Sequence, residues 1–390
     1  MNVFDFIVIL IVILWGGIGI SAVYKKGNQF SSREILFLQG LYTFHMLVSL
    51  FFSSYILSNG GDAKAYWFMM PRFSIYNSWE SYYRTGTSFI LFLTYPLVKY
   101  LQLSFYTGGL LFAMVGFQGF IYLYSIIRKF TRKPVLLYGF QLFPYILFLP
   151  NLHFWSAGIG KDALSFFAIM LFYYSLFKLN KKWVWALFAL FLAYHVRPHI
   201  ALFLIVSSFV AILIDGKMKF SVKVALGLVM LLGAIFLFNS VVQFMRLDDV
   251  STDSISQYSE TKANNLTKGS GSAVALAGYP FPFKVFTFLY RPLFLDVNNS
   301  LAIVSSIENL MLLILSVLLL IMKPFSAFKK APMPIKSILI FFVICTCAFA
   351  ITLSNLGIML RQKTPVICCL LIFIFWSFAY RLYLKNKVHY

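Results

Sequence analysis

The sequence predicts an all-α, polytopic membrane protein with about eleven transmembrane helices, N-terminus outside and C-terminus inside. Three observations carry this expectation. The chain is 61% hydrophobic and only 12% charged, a balance that no water-soluble domain keeps. Its apolar residues gather into runs near the ~20 residues a helix needs to cross a bilayer. Its basic residues gather between alternate runs, which is how cytoplasmic loops are marked.

Taken in order, the expected spans lie near 3–23, 35–57, 105–127, 135–150, 162–178, 183–196, 199–215, 221–243, 300–322, 336–355 and 364–382. No basic stretch precedes the first run, so Met1–Ile20 reads as a span rather than a cleaved signal peptide. Lys25 and Lys26 follow it and place the N-terminus outside. The clusters Lys25/Lys26/Arg33, Arg128/Lys129/Arg132/Lys133, Lys178/Lys181/Lys182, Lys217/Lys219/Lys223, Lys323/Lys329/Lys330/Lys336 and Arg381/Lys385/Lys387 then all face inward. Together they hold 20 of the 33 Lys and Arg residues. The net charge of +21 therefore orients a membrane protein and does not point to nucleic acid. Residues 1–390 form a single integral membrane domain, with no room for a large soluble one. The four cysteines, Cys345, Cys347, Cys368 and Cys369, fall inside apolar runs and read as small buried hydrophobes.

Two regions stand apart. Residues 58–104 form a first large external loop in which Asp62, Lys64, Arg72, Glu80 and Arg84 sit among tryptophans and tyrosines, a composition suited to the water–lipid boundary. Within it, Phe89–Leu101 is apolar but short, contains Pro96 and ends near Lys99, which fits an interfacial or re-entrant helix better than a crossing. Residues 246–299 form the second external loop, polar and Gly/Ser-rich at first, then aromatic with Lys284, Arg291 and Asp296. Asn265-Leu-Thr is a glycosylation sequon within it.

Several of these polar residues suit chemistry at the outer boundary. Asp62, in Gly-Gly-Asp-Ala-Lys, reads as a helix N-cap or as a general base, and the two roles are compatible. Glu80 is the second acid of the same loop. Lys161 and Asp162 open a span after LPNLHFWSAGIG; the Asp complements the helix dipole, while a cation there opposes it unless an anion is bound. His153 lies just before them. In YHVRPHIAL, His195, Arg197 and His199 converge; the His pair has metal-binding spacing, but Pro198 interrupts the helix. Arg72, Lys161, Arg197, Arg291, Arg361 and Lys363 could grip a phosphate or pyrophosphate, or reach lipid phosphates as boundary residues do. A metal is not indicated, although a divalent ion is compatible with the acids. No Walker loop and no GxSxG are present. Nor is there a chain of intramembrane acids of the kind a proton-coupled transporter favours; Glu308 is the clear case of such an acid.

The acid in the first external loop, the boundary helices after it, the order Gly61-Asp62…Tyr66 and then Ser104-Phe105, and the stretches LPNLHFWSAGIGKDAL and FLYRPLFLD resemble the C-type integral membrane glycosyltransferase superfamily. In particular they resemble bacterial EpsG- and Wzy-type polysaccharide polymerases. The resemblance covers roughly residues 35–382. It implies a polyprenyl-(pyro)phosphate-linked sugar donor and Asp62 as the loop acid. It also implies a bacterial cytoplasmic membrane with an outward-facing site, and polysaccharide-export partners. The residues themselves add Glu80 as a second catalytic candidate and a substrate-binding set of Arg72, His153, Lys161, Asp162, His195, Arg197, Arg291 and Arg361. The chain departs from the superfamily in lacking a DxD or EDE triplet and a large soluble C-terminal domain. A single-sugar transferase, a lipid-linked oligosaccharide flippase and a non-catalytic assembly subunit are the rival expectations.

Overall fold

The computed structural model describes residues 2–25, 30–69, 78–131, 136–137, 140–215, 220–245, 279–297 and 299–388. Arg72, the stretch 246–278 with Asn265, and the basic residues Lys26, Arg132, Lys133, Lys217 and Lys219 lie outside them. The described chain is almost entirely helical and multi-pass in character. Among the described residues six helices are long and apolar enough to cross a membrane, seven if one bent pair counts as a span. Ten of the eleven expected spans are helices, several of them shorter than a full crossing.

The exception is 135–150. It holds a two-residue antiparallel ladder, β1 (Leu136–Leu137) with β2 (Phe140–Gln141), and a 3-10 turn at Tyr145–Phe148. Hydropathy counts the apolar residues of this stretch but not Pro144, which lacks a backbone donor, or Pro150, which opens the next helix at its first turn.

The chain divides into two compact units. Unit 1 comprises residues 1–124, 144–172 and 184–197, and unit 2 comprises 125–143, 173–183 and 198–390.

Unit 1 is built on α1 (Val3–Leu14, continued through a π turn into α2, Ile20–Lys25), α3 (Ser32–Asn59) and the greater part of α6 (Phe105–Arg128). Tyr42 donates to the Val12 carbonyl (2.8 Å) and Gln39 to that of Gly17 (2.6 Å), so α1 and α3 are antiparallel. Tyr124 donates to Glu34 (2.9 Å) at one end of the α3–α6 pair, and Gly109 lies against Ser53 at the other. These helices are antiparallel too, so the connection 60–104 leaves and re-enters at the same end of the unit. The start of α1 belongs to that end. Asn2 donates to the Leu101 carbonyl (2.8 Å), and buried Asp5 accepts the Ser104 N–H (2.8 Å), one of the free amides before α6. Asp5, at the start of the first apolar run, is a buried acid that reading the sequence passes over.

Close approach explains Gly116 in the middle of α6. A Cβ there would stand 2.0 Å from the Ser156 carbonyl oxygen, which is backbone and cannot swing aside. Gly116→Ala should cost about 3 kcal/mol. Gly40→Ala, where a Cβ meets nothing within 4 Å, should not. Thermal unfolding of both variants in detergent checks this, and equal melting would refute the close packing.

Unit 2 gathers around α15 (Met333–Thr352), which packs on α10 (Pro198–Ile214), α12 (Phe281–Tyr290) and α16 (Leu356–Val388). α11 (Phe220–Met245) packs on α10; α13 (Ser300–Ile321) packs on α12 and α16. Lys336, expected as an orienting loop cation, is instead buried and paired with Asp215 (3.1 Å). Above that pair in sequence, Ser337 joins Ser208 (3.0 Å) and Ser207 in a buried hydroxyl cluster with Tyr173. The four cysteines are free, three of them buried.

Candidate functional site

In unit 1 the site starts where α3 stops. Gly60 and Gly61 take φ of 84° and 136°, conformations open to glycine alone at little cost, and they reverse the chain. Lys64 then reaches back to the Leu57 carbonyl (3.2 Å), closing the last turn of α3. Asp62 opens the short α4 (Asp62–Lys64), which widens into a π turn over Ala65–Met69. The N-cap residue is Gly61, so Asp62 is not the side-chain cap that its position suggests; it is an exposed acid in the first turn. Tyr66, one turn on, is buried with its ring 3.7 Å from where a Cβ on Gly160 would stand, and its carbonyl accepts from Thr94.

That contact brings the Asp62 segment to the start of α8 (Lys161–Leu176). α7 (Pro150–Ser156) and α8 meet at a 110° bend, with Gly160 at φ 147° just before Lys161. Asp162 and Arg197, the latter following α9 (Leu179–Val196), form a 2.5 Å ion pair in which Arg197 is only 5% exposed. Thus the first turn of α8 and the end of α9 are tied together, and the expected Arg197 phosphate clamp already has a carboxylate partner.

Glu80 is exposed on the 3-10 turn Trp79–Tyr82. Trp79 is held flat on Phe92 (4.9 Å, 15° between planes) and donates to the Phe92 carbonyl in α5 (Thr87–Lys99) (2.6 Å). The Gly86 N–H donates to the His195 carbonyl (2.7 Å), and Tyr83 flanks the His195 ring. His195 donates through Nδ1 to the Phe191 carbonyl (3.0 Å). Trp79, Tyr82 and Tyr83 are neighbours of Glu80 in sequence, and folding brings Tyr83 to His195; their clustering among charges in the loop was the only signal.

His153, expected among the substrate-binding residues, is committed to partners inside the unit. It is fully buried, donates through Nε2 to the Leu147 carbonyl (2.7 Å), and faces His45 Nδ1 through its own Nδ1 at 2.8 Å. With Nε2 as donor, the neutral His153 accepts at Nδ1 and His45 donates. His45 was not singled out from sequence, since a lone His inside an apolar run carries no motif.

Unit 2 holds the remaining candidates. Arg291 grips Asp296 bidentately, and Asp296 also accepts the Leu293 N–H (2.9 Å). The guanidinium holds the Asp296 carboxyl below the usual carboxylate range, and the carboxylate raises Arg291. Lys363, 2% exposed, directs its ammonium at the carbonyls of Leu289 (3.2 Å) and Arg291 (3.1 Å) and at Asn309 Oδ1 (2.7 Å). Two of its donors thereby cap the end of α12 and the third holds Asn309 of α13, which completes the knot by donating to the Pro292 carbonyl (2.8 Å). Arg361 lies half-buried on α16. Among the described residues no three His, Cys, Asp or Glu side chains come together as metal ligands.

The fold defines a class, the multi-pass helical membrane proteins. Beyond that class, no protein-family profile matches the chain, and comparison with curated proteins and with solved structures returns no match.

Proposed function

We propose that this protein is an integral membrane glycosyltransferase that uses a polyprenyl-(pyro)phosphate-linked sugar at the outer face of a bacterial cytoplasmic membrane, most consistent with polymerisation of a surface polysaccharide. The observation that carries the reading is the convergence in unit 1 of an exposed acid, Asp62, with the Gly160-Lys161-Asp162 helix start through Tyr66. An acid and a helix N-terminus are the two chemical parts this transfer needs.

In the proposed reaction an acceptor hydroxyl attacks the anomeric carbon. The new C–O bond forms as the bond from that carbon to the lipid phosphate breaks, and Asp62 takes the hydroxyl proton. The amides opening α8, with Lys161, stabilise the departing phosphate. The Asp162–Arg197 pair holds that helix start in place. Trp79 and Tyr83 offer rigid aromatic faces beside Glu80, an arrangement suited to a sugar ring with a carboxylate for its hydroxyls. In this reading Glu80 binds the acceptor, and Arg291 belongs to a paired structural turn.

Complementation of a deletion strand of the host with wild type and Asp62→Asn, read on a polysaccharide ladder gel at matched membrane levels, tests the reading. Loss of a general base costs about 10²–10⁴-fold in rate, so long chains should vanish while single lipid-linked units persist. A normal ladder from Asp62→Asn removes the base assignment. Loss of even the single unit moves the protein to an earlier transfer or to flipping, and an unchanged ladder in the deletion removes surface polysaccharide.

A further inference from the structure

We infer that Lys129, Lys178 and Lys182 in unit 2 form a binding site for the phosphate headgroup of an anionic lipid. These residues come from two segments far apart in sequence, the end of α6 and the stretch joining α8 to α9, and folding brings them together. Lys129 Nζ lies 3.9 Å from the centroid of the Phe177 ring and 5.5 Å from that of Tyr174, and Lys182 Nζ lies 3.8 Å from the Tyr174 centroid. Two ammonium groups therefore share one aromatic ring. Much of Lys129 is exposed, but its ammonium rests on the rings. That desolvation, followed by repulsion from Lys178 and Lys182, brings its pKa down to about 8.

Among the described residues none of the three has an ion pair. The contrast with the rest of the molecule is informative, because Arg197, Arg291 and Lys336 each have an Asp. Orientation by positive charge needs only lysines near a span end, as at Lys329 and Lys330, which are exposed on a single short helix, α14 (Pro324–Lys330). It does not need them gathered over shared rings at a cost in mutual repulsion. A phosphate would relieve that repulsion, accept hydrogen bonds from the ammonium groups, and leave its apolar chains against the spans whose ends carry the cluster.

The test uses the full chain in nanodiscs of zwitterionic lipid with a minor fraction of phosphatidylglycerol, with retained lipid counted by native mass spectrometry. Lys129→Gln/Lys178→Gln/Lys182→Gln should weaken retention of the anionic lipid by about 100-fold, and each single change by about fivefold. Lys329→Gln/Lys330→Gln should retain it as wild type does. Equal retention by wild type and the triple variant overturns the site, and so does an equal loss in the two Gln sets, which would mean bulk charge alone. Displacement of the lipid by low millimolar inorganic phosphate overturns the lipid assignment in favour of a soluble phosphate compound. If the triple variant fails to fold, Lys178→Gln, at an exposed position, carries the same comparison.

Discussion

Arg197→Ala should lower the melting temperature and the folded yield sharply. The substitution takes from Asp162, a carboxylate at a buried position, its 2.5 Å charge partner. Breaking one side of a buried pair costs about 3–5 kcal/mol, most of it the desolvation of the charge left behind. Total stabilities of domains are about 5–15 kcal/mol, so a loss of this size reaches a large share of the whole. The second half of the prediction separates this cause from mere loss of volume. Asp162→Asn/Arg197→Gln removes both charges and keeps two hydrogen-bonding groups of similar size, so it should recover most of the folded yield. Size-exclusion profiles and melting in detergent measure both. If Arg197→Ala melts like wild type, the pair is peripheral and Arg197 is available as the phosphate clamp first expected. The double variant adds a functional reading, since the tie between α8 and α9 would persist without charge.

Lys363→Met should release the turn at Arg291-Pro292. Met keeps the length and apolar stem of Lys but donates nothing. The carbonyls of Leu289 and Arg291 and the Asn309 amide oxygen would each lose a partner in a buried setting. An unsatisfied buried acceptor costs about 1–3 kcal/mol, so three together should shift melting more than any exposed lysine change in the molecule. Limited proteolysis across residues 288–297 should find the released turn, and Lys363→Arg should protect it in part by returning donors. Unchanged proteolysis in Lys363→Met would mean that the Arg291–Asp296 grip alone holds the turn.

The two predictions share an origin that reading the sequence could not reach. Lys161, Arg197, Arg291, Arg361 and Lys363 looked alike from sequence, each a cation at the end of an apolar run. Folding separates them. Arg197 is committed to Asp162, Arg291 to Asp296, and Lys363 to the end of α12. Lys336 gives the same lesson, because its partner Asp215 is 121 positions away. In the connection 60–104, by contrast, the glycine pair marked the end of α3, and Pro96 with Lys99 marked the short helix. The error at 135–150 came from treating hydropathy as if it implied a helix.

What the sequence by itself determined is the class of molecule and where most of its helices run. Lipid offers the backbone no hydrogen bonds, so a long apolar run free of internal prolines has one local solution, the helix, and each such run carries that information within itself. What only the tertiary structure decided is the state of the polar residues: which acid is exposed, which cation is paired, and which histidines meet. Those states depend on partners brought together from distant segments, and the energy of a charge in an apolar surrounding is set by the partner beside it rather than by its own neighbours in the chain.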